Sequence, residues 1–160
     1  MILPILTHPS PDLRRKALPV DLSRLGSASL LKLITSIEDT FRSQINGVGI
    51  AAAQVGILDR IIIVDIPHEG LVTFINPEII ASSKTMFEFE EGCFSVPNTF
   101  GIVNRHKSVT VRAIMLNGDL RILKTKGLYS VVFQHEIDHL DGILFIDKML
   151  RQTHGGNVSV

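Results

Sequence analysis

Residues 134–142 read "QHEIDHLDG". On a helix, side chains four apart lie on one face, so His135 and His139 can aim both imidazoles at one point. Glu136 stands where zinc peptidases with this spacing carry their general base. The competing reading is a helix with two histidines and some carboxylates on its solvated side. Leu128, Val131, Val132 and His135 follow at i, i+3, i+4 and i+7. That places the first histidine on an apolar, buried face, where it needs a partner.

A catalytic site of this type takes three protein ligands and keeps one position open. One peptidase family supplies a third histidine three residues past a downstream glycine. Gly142 is present here, but the matching position is Phe145. Another family uses a later glutamate, and none follows Glu136. Asp141 is too close on the helix to turn back, Asp147 is a weak candidate, and His154 lies in a polar, glycine-containing tail. Upstream, the single cysteine, Cys93, sits in "EEGCFSVPN". A lone cysteine is more often an inert small hydrophobe. This one follows the strand-like "MFEFE" in a tight segment of glycine, serine and proline, and beside a divalent cation its thiol would ionise.

The surrounding chain has helix at both ends and strands between. Leu30, Ile34, Ile37, Phe41 and Ile45 mark one helical face over 24–45, with Asp21 or Ser23 as cap and Gly47 as its close. A short helical stretch is expected around 11–17. "RIIIVDI" (60–66) fits a buried strand, and "VTFINPEII" (72–80) another, interrupted at Pro77. Asn117-Gly118, between two strand-like runs, signals a hairpin. Residues 127–142 return to helix. The pattern predicts an α+β fold with a mostly antiparallel β-sheet.

Length predicts one domain over residues 1–160. The chain is 45% apolar and 20% charged, with 16 Lys+Arg against 16 Asp+Glu. That balance argues against broad electrostatic capture of nucleic acid or anionic lipid, while leaving room for a local basic patch. One cysteine allows no internal disulfide, which suits a reducing compartment. The start, "MILPILTHPSPDLRRKALPV", places its basic cluster after the apolar residues, the wrong order for a signal peptide. No stretch approaches the roughly 20 apolar residues of a membrane span. A soluble, cytoplasmic protein is expected, monomeric, with no nucleic-acid or membrane partner.

Three motifs, "GVGIAAAQ" (47–54), "EGCFS" (91–95) and "HEIDHLDG" (135–142), occur in the order found in peptide deformylases, and the chain resembles that family from its proline-rich start to about Asp147. "SVP" after the cysteine and Arg105 also match. The resemblance implies hydrolysis of the N-formyl group from formyl-methionyl nascent peptides, releasing formate. It implies a divalent metal on Cys93, His135 and His139, with Glu136 moving protons. Gln54 and the backbone N–H of Phe94 would then be the oxyanion donors. The family's Fe(II) is expected in the cell, and Zn, Ni or Co in a prepared sample; thiolate plus two imidazoles accepts all four. Gly49 would meet the substrate backbone as it adds a strand. Leu128, Val131, Val132, Val48 and Phe89 would wall the methionine pocket, each with core packing as the alternative. "GVGIAAAQ" has its own alternative, a close-packing turn of small residues. Glu91 and Arg105 are expected to pair and brace the cysteine loop; exposed, such a pair is worth about 0–1 kcal/mol. Asp138 is either a neighbour of the site or solvated.

Two departures stand out. Phe94 occupies a position where many members have leucine. The tail "KMLRQTHGGNVSV" stops early with few charges, which speaks against ribosome docking through the long basic helix of many bacterial members. The alternative functions are a metallopeptidase cutting internal bonds, a deformylase of other formylated amines, and a catalytically silent metal-binding scaffold.

Overall fold

The computed structural model describes residues 1–155; the remainder of the expected tail, 156–160, lies outside the described residues. Leu30, Ile34, Ile37 and Phe41 are all buried on one face of α1 (Ala28–Arg42). Its start is capped by Ser27, whose hydroxyl accepts from the Leu30 N–H, rather than by Asp21 or Ser23. Asp21 instead caps a separate 3₁₀ turn by accepting from the Ser23 N–H. The helix also ends before Gly47. The Ser43 hydroxyl donates back to Thr40 O at 2.6 Å, and Asn46 enters the left-handed region at φ 64°. Ile45, expected on the buried face, therefore lies beyond the helix and is 83% exposed.

Eight strands follow among the described residues: β1 (Gly49–Ala51), β2 (Ile61–Ile66), β3 (Gly70–Ser82), β4 (Met86–Cys93), β5 (Val96–His106), β6 (Ser108–Ile114), β7 (Leu120–Lys126) and β8 (Met149–His154). They form a five-stranded sheet, β1-β2-β3-β6-β7, and a three-stranded sheet, β4-β5-β8, with every ladder antiparallel. Pro77 does not end β3. A register irregularity between Ile75 and Glu78 absorbs the missing N–H, as a bulge does in an antiparallel pair. Asn117-Gly118 turns β6 into β7, with Gly118 taking a φ of 89°. The expected short helix near 11–17 is a single 3₁₀ turn over Pro11–Arg14. Residues 149–154, expected as polar tail, pair with β5 as β8.

α2 (Leu128–Leu140) packs against strands of both sheets. Phe133 and Leu140 are buried with Ile62, Val64 and Phe74 of the larger sheet, so one flank of the helix is core and the other faces the site. Just past the helix and its cap Asp141, Gly142 takes a φ of 75°, and an added Cβ there would stand 2.4 Å from the Arg14 carbonyl oxygen. That close approach comes from the N-terminal arm, which straps the three motif segments together. Leu6 N–H donates to Gln54 O (2.8 Å), His8 N–H to Ser95 O (2.7 Å) and Ala17 N–H to Leu140 O (2.7 Å). Among the described residues no helix is long and apolar enough to cross a membrane. The architecture is the expected α+β fold.

Candidate metal centre

β4 delivers Cys93 at its last residue, and α2 delivers His135 and His139 one turn apart. His139 Nε2 stands 3.2 Å from His135 Nε2 and 3.2 Å from Cys93 Sγ, and all three ligand atoms lie within 4.8 Å of one another. With metal–nitrogen bonds of about 2.0–2.1 Å and a metal–sulfur bond of about 2.3 Å, tetrahedral edges come to about 3.3 Å for N···N and about 3.6 Å for S···N. The observed spacings fit a single first-row divalent ion. A soft thiolate with two imidazoles fits it chemically as well. Asp141 and Asp147, the downstream candidates, are engaged elsewhere. Asp141 pairs with Arg60 at 2.8 Å, and Asp147 takes both terminal nitrogens of Arg14. His154 lies on β8 beside Glu90, its Nδ1 3.5 Å from the Glu90 carboxylate.

The ring of His135 is fixed from behind. Its Nδ1–H donates to Glu91 Oε2 at 2.7 Å, which leaves the Nε2 lone pair for a metal. Glu91 in turn takes two bonds from Arg105, Nε at 2.6 Å and Nη2 at 2.9 Å. Arg105 Nη1 donates to Asp138 Oδ2 at 2.6 Å, and Lys148 Nζ reaches the same carboxylate at 2.7 Å. The expected Glu91–Arg105 pair is thus present but not exposed. Arg105 and Glu91 retain 2% and 5% of their surface, so the surface-pair value does not apply. Asp138, which sequence reasoning left undecided, is the outer member of this network. The spacing Glu91…Arg105, with both side chains on paired strands, was the only available signal, and it carries no depth information.

Burial and charge set the proton inventory. Burial raises the Glu91 carboxyl's pKa, but the bonds from Arg105 and His135 more than offset that and hold it at about 2. Glu136 is pushed up to about 7, by burial first and then by the negative charge of Glu91, against the pull of His135 and Arg105. Its Oε2 is buried without a hydrogen-bond partner among the described residues, as is Nδ1 of His139. Without a cation, burial disfavours protonated His135, but the Cys93 sulfur and Glu91 outweigh it and raise its pKa well above normal. His139 is driven well below, by burial and then by the positive charges of His135 and Arg105. Ligation needs a thiolate and neutral imidazoles, so metal binding at this site is coupled to the protonation of its ligands.

Gln54 ends motif one in a 3₁₀ turn (Ala52–Val55). Its Oε1 accepts from the Ala51 N–H at 2.9 Å, which turns its Nε2 toward Cys93 Sγ (3.4 Å) and Ser95 Oγ (3.2 Å). Gly49 meets the Glu136 side chain closely: an added Cβ would lie 2.9 Å from Oε1 and 3.1 Å from Val132 Cγ1. A cavity of about 550 Å³ opens over these groups. Val48, Gly49, Phe89, Glu91, Leu128, Val131 and Val132, the expected substrate contacts, all line it, together with Phe94, an expected oxyanion donor. Val131 and Val132 are buried, whereas Leu128, expected on the buried face, is 43% exposed at the cavity edge because it opens the helix, before the sheets cover it. The carboxylate of Glu91 is already committed to Arg105 and His135, so it contributes to the wall rather than offering a free acceptor.

Comparison with known proteins agrees with this geometry. The family model for polypeptide deformylase matches residues 2–154. Peptide deformylase 2 of Xanthomonas campestris pv. campestris is 41% identical over 152 residues, covering 92% of this chain and 87% of that protein. Peptide deformylase of Syntrophomonas wolfei is 44% identical over 146 residues, covering 91% and 92%. The crystal structure of the Acinetobacter baumannii class I type b peptide deformylase with Met-Ala-Ser bound superposes with a TM-score of 0.87 at 37% identity, covering 93% of this chain and 99% of that one. With the matched span running almost from end to end and the Cys–His–His constellation in place, the chain belongs to the peptide deformylase family.

Proposed function

We propose that the chain is a metal-dependent amide hydrolase that removes the N-formyl group from formyl-methionyl nascent peptides and releases formate. One observation carries the reading: three ligand atoms converge beside a buried carboxylate, Glu136, whose Oε2 has no partner among the described residues. Cys93, His135 and His139 would hold the metal. When bound, a divalent cation supplies a Lewis acid and lowers the pKa of water toward about 7 in the best zinc cases. Fe(II) is the expected cellular ion, with Zn, Ni or Co in a prepared sample.

The side chains divide the remaining work. Glu136, a buried carboxylate whose Oε2 has no partner among the described residues, would take a proton from the attacking water and return one to the departing methionine nitrogen. Gln54 Nε2 and the Phe94 N–H donate to the oxygen of the formyl group as it gains charge; losing one such donor typically costs about 10²–10³ in rate. Gln54 is held for this by Ala51, so little reorganisation is needed. β1 and β4 are edge strands of their respective sheets and both border the cavity. An extended peptide can therefore pair with Gly49 as an added strand. Val131 and Val132 then give the methionine side chain an apolar wall, with Val48, Phe89 and Leu128 around it. Met-Ala-Ser, seen on the Acinetobacter baumannii relative, is the product type this scheme yields.

The test is formate release from formyl-Met-Ala-Ser, measured anaerobically with Fe(II) and repeated with Ni(II). Glu136→Ala should keep the metal and lose at least about 10²-fold in rate. Cys93→Ala should lose the metal. Cleavage of internal peptide bonds without formate release would favour a metallopeptidase and overturn the proposal. The enzyme is further proposed to be cytoplasmic and monomeric, the oligomeric state being checked by sedimentation.

A further inference from the structure

Phe94 and Ser95 form the turn that joins β4 to β5, between the paired residues Cys93 and Val96. Ser95 is fully buried and stands outside the ligand set. Both of its donor or acceptor groups on the inner side meet site residues. Its hydroxyl lies 3.2 Å from Gln54 Nε2, and its backbone N–H stands 3.4 Å from Cys93 Sγ. The N–H contact is open to any residue at this place. The hydroxyl contact requires serine or threonine, and it is directed at the side chain of Gln54 alone.

A glutamine amide has one acceptor oxygen and two N–H donors. In Gln54, Oε1 accepts from the Ala51 N–H at 2.9 Å. The reversed amide would set N–H against N–H there, so its orientation is fixed. One N–H of Nε2 is taken by Ser95 Oγ. That leaves the other for the side of Cys93 Sγ, 3.4 Å away, where the formyl oxygen would gain charge. Both partners are also anchored through their backbones. Leu6 N–H donates to Gln54 O at 2.8 Å and His8 N–H to Ser95 O at 2.7 Å, so one short segment of the N-terminal arm sets the spacing between the two side chains.

Resting on the deformylase reading, we propose that Ser95 is a positioning residue for the reaction: its hydroxyl holds the Gln54 amide so that the free N–H is aimed at the oxygen of the formyl group. The hydroxyl acts through Gln54 and moves no proton itself. Without it, only the Ala51 contact fixes the amide, which can then swing about that bond. A donor of this kind is valuable because it is aimed before charge develops, and a loosened one loses part of its effect. Ser95→Ala removes the hydroxyl and keeps the backbone N–H to the sulfur. The variant therefore separates an effect on Gln54 from an effect on the metal ligands.

The experiment compares wild type, Ser95→Ala, Gln54→Ala and the double variant, each loaded with Co(II), in formate release from formyl-Met-Ala-Ser. One hydrogen bond between neutral groups is worth about 2- to 12-fold. Ser95→Ala should therefore lower kcat about 5- to 10-fold while KM changes less than about 2-fold. In the Gln54→Ala background the same change should cost less than about 2-fold, because the group it holds is gone. Ser95→Gly removes the same hydroxyl and should give the same cycle. Metal content and the Co(II)–thiolate absorption band should stay at wild-type values in Ser95→Ala. In proton–nitrogen correlation spectra of the Zn-loaded protein, the Gln54 side-chain N–H pair is identified by its loss in Gln54→Ala. Ser95→Ala should move that pair and speed its exchange with water about 5- to 10-fold. A cost of Ser95→Ala undiminished in the Gln54→Ala background, a displaced Co(II) band, or wild-type kcat with an unmoved Gln54 pair overturns the positioning role and leaves the deformylase reading standing. Absence of formate from the wild type overturns both.

Discussion

Replacing Glu91 by glutamine keeps the shape of the side chain and removes the charge on which Arg105 and His135 both depend. The carboxylate takes three bonds of 2.6, 2.7 and 2.9 Å. An amide at this place can present its oxygen to only one side, so an N–H group would face either the guanidinium or the His135 Nδ1–H. Removing one member of a buried ion pair costs about 3–5 kcal/mol. Asp138 still pairs with Arg105, which puts the loss at the lower end. The acidity of Glu91 leads to the same figure. Its pKa is about 2 against an ordinary 4.5, and at about 1.36 kcal/mol per pH unit the native state gains about 3 kcal/mol from the ionised form.

The sign follows from the lowered pKa. This stabilisation is complete above pH 4.5 and is lost as pH falls through about 2. Urea denaturation of the metal-free protein at pH 7 should therefore show E91Q about 3 kcal/mol less stable, with the gap closing in acid. The loosened His135 ring should also weaken metal binding by about 10- to 100-fold, read by chelator competition. A loss under about 1 kcal/mol at pH 7, together with unchanged metal affinity, would refute the role given to the network.

Glu136 gives the opposite pH signature. Its pKa is raised to about 7, so in the metal-free protein its contribution is present below pH 4.5 and lost as pH rises through about 7; E136Q should make the metal-free protein up to about 3 kcal/mol more stable than wild type at pH 8, by thermal or urea melts. Gly49→Ala places a methyl within 2.9–3.1 Å of Glu136 and Val132; displacing the carboxylate by even a few tenths of an ångström should lower kcat by about 10- to 10²-fold while circular dichroism and metal content stay normal. Gly142→Ala combines a φ of 75° with a contact at 2.4 Å from the Arg14 backbone, and should lower stability by about 2 kcal/mol or more in the same melts.

The parts of the molecule that sequence reading found were those whose signal is local. The period of α1 and α2, the Asn117-Gly118 hairpin and the buried run of β2 each rest on neighbours in the chain, and each folds as expected. What escaped was depth and long-range pairing. "EEGCF" and Arg105 reveal that opposite charges are present, but burial of Arg105 to 2% depends on α2 closing over β4 and β5, which no local pattern records. β8 escaped because "MLRQTH" is mostly exposed and does not alternate; only β5 beside it makes it a strand. Ile45 fits the four-residue spacing of α1, yet a serine hydroxyl and an asparagine at positive φ end the helix first. These misses bear on one place. The loop released by the early end of α1 lines one side of the cavity and the strand hidden in the tail backs β5 on the other, while the legible motifs supply the reactive centre. Local sequence therefore encodes the side chains that converge on the metal centre, and tertiary pairing builds the cavity around them.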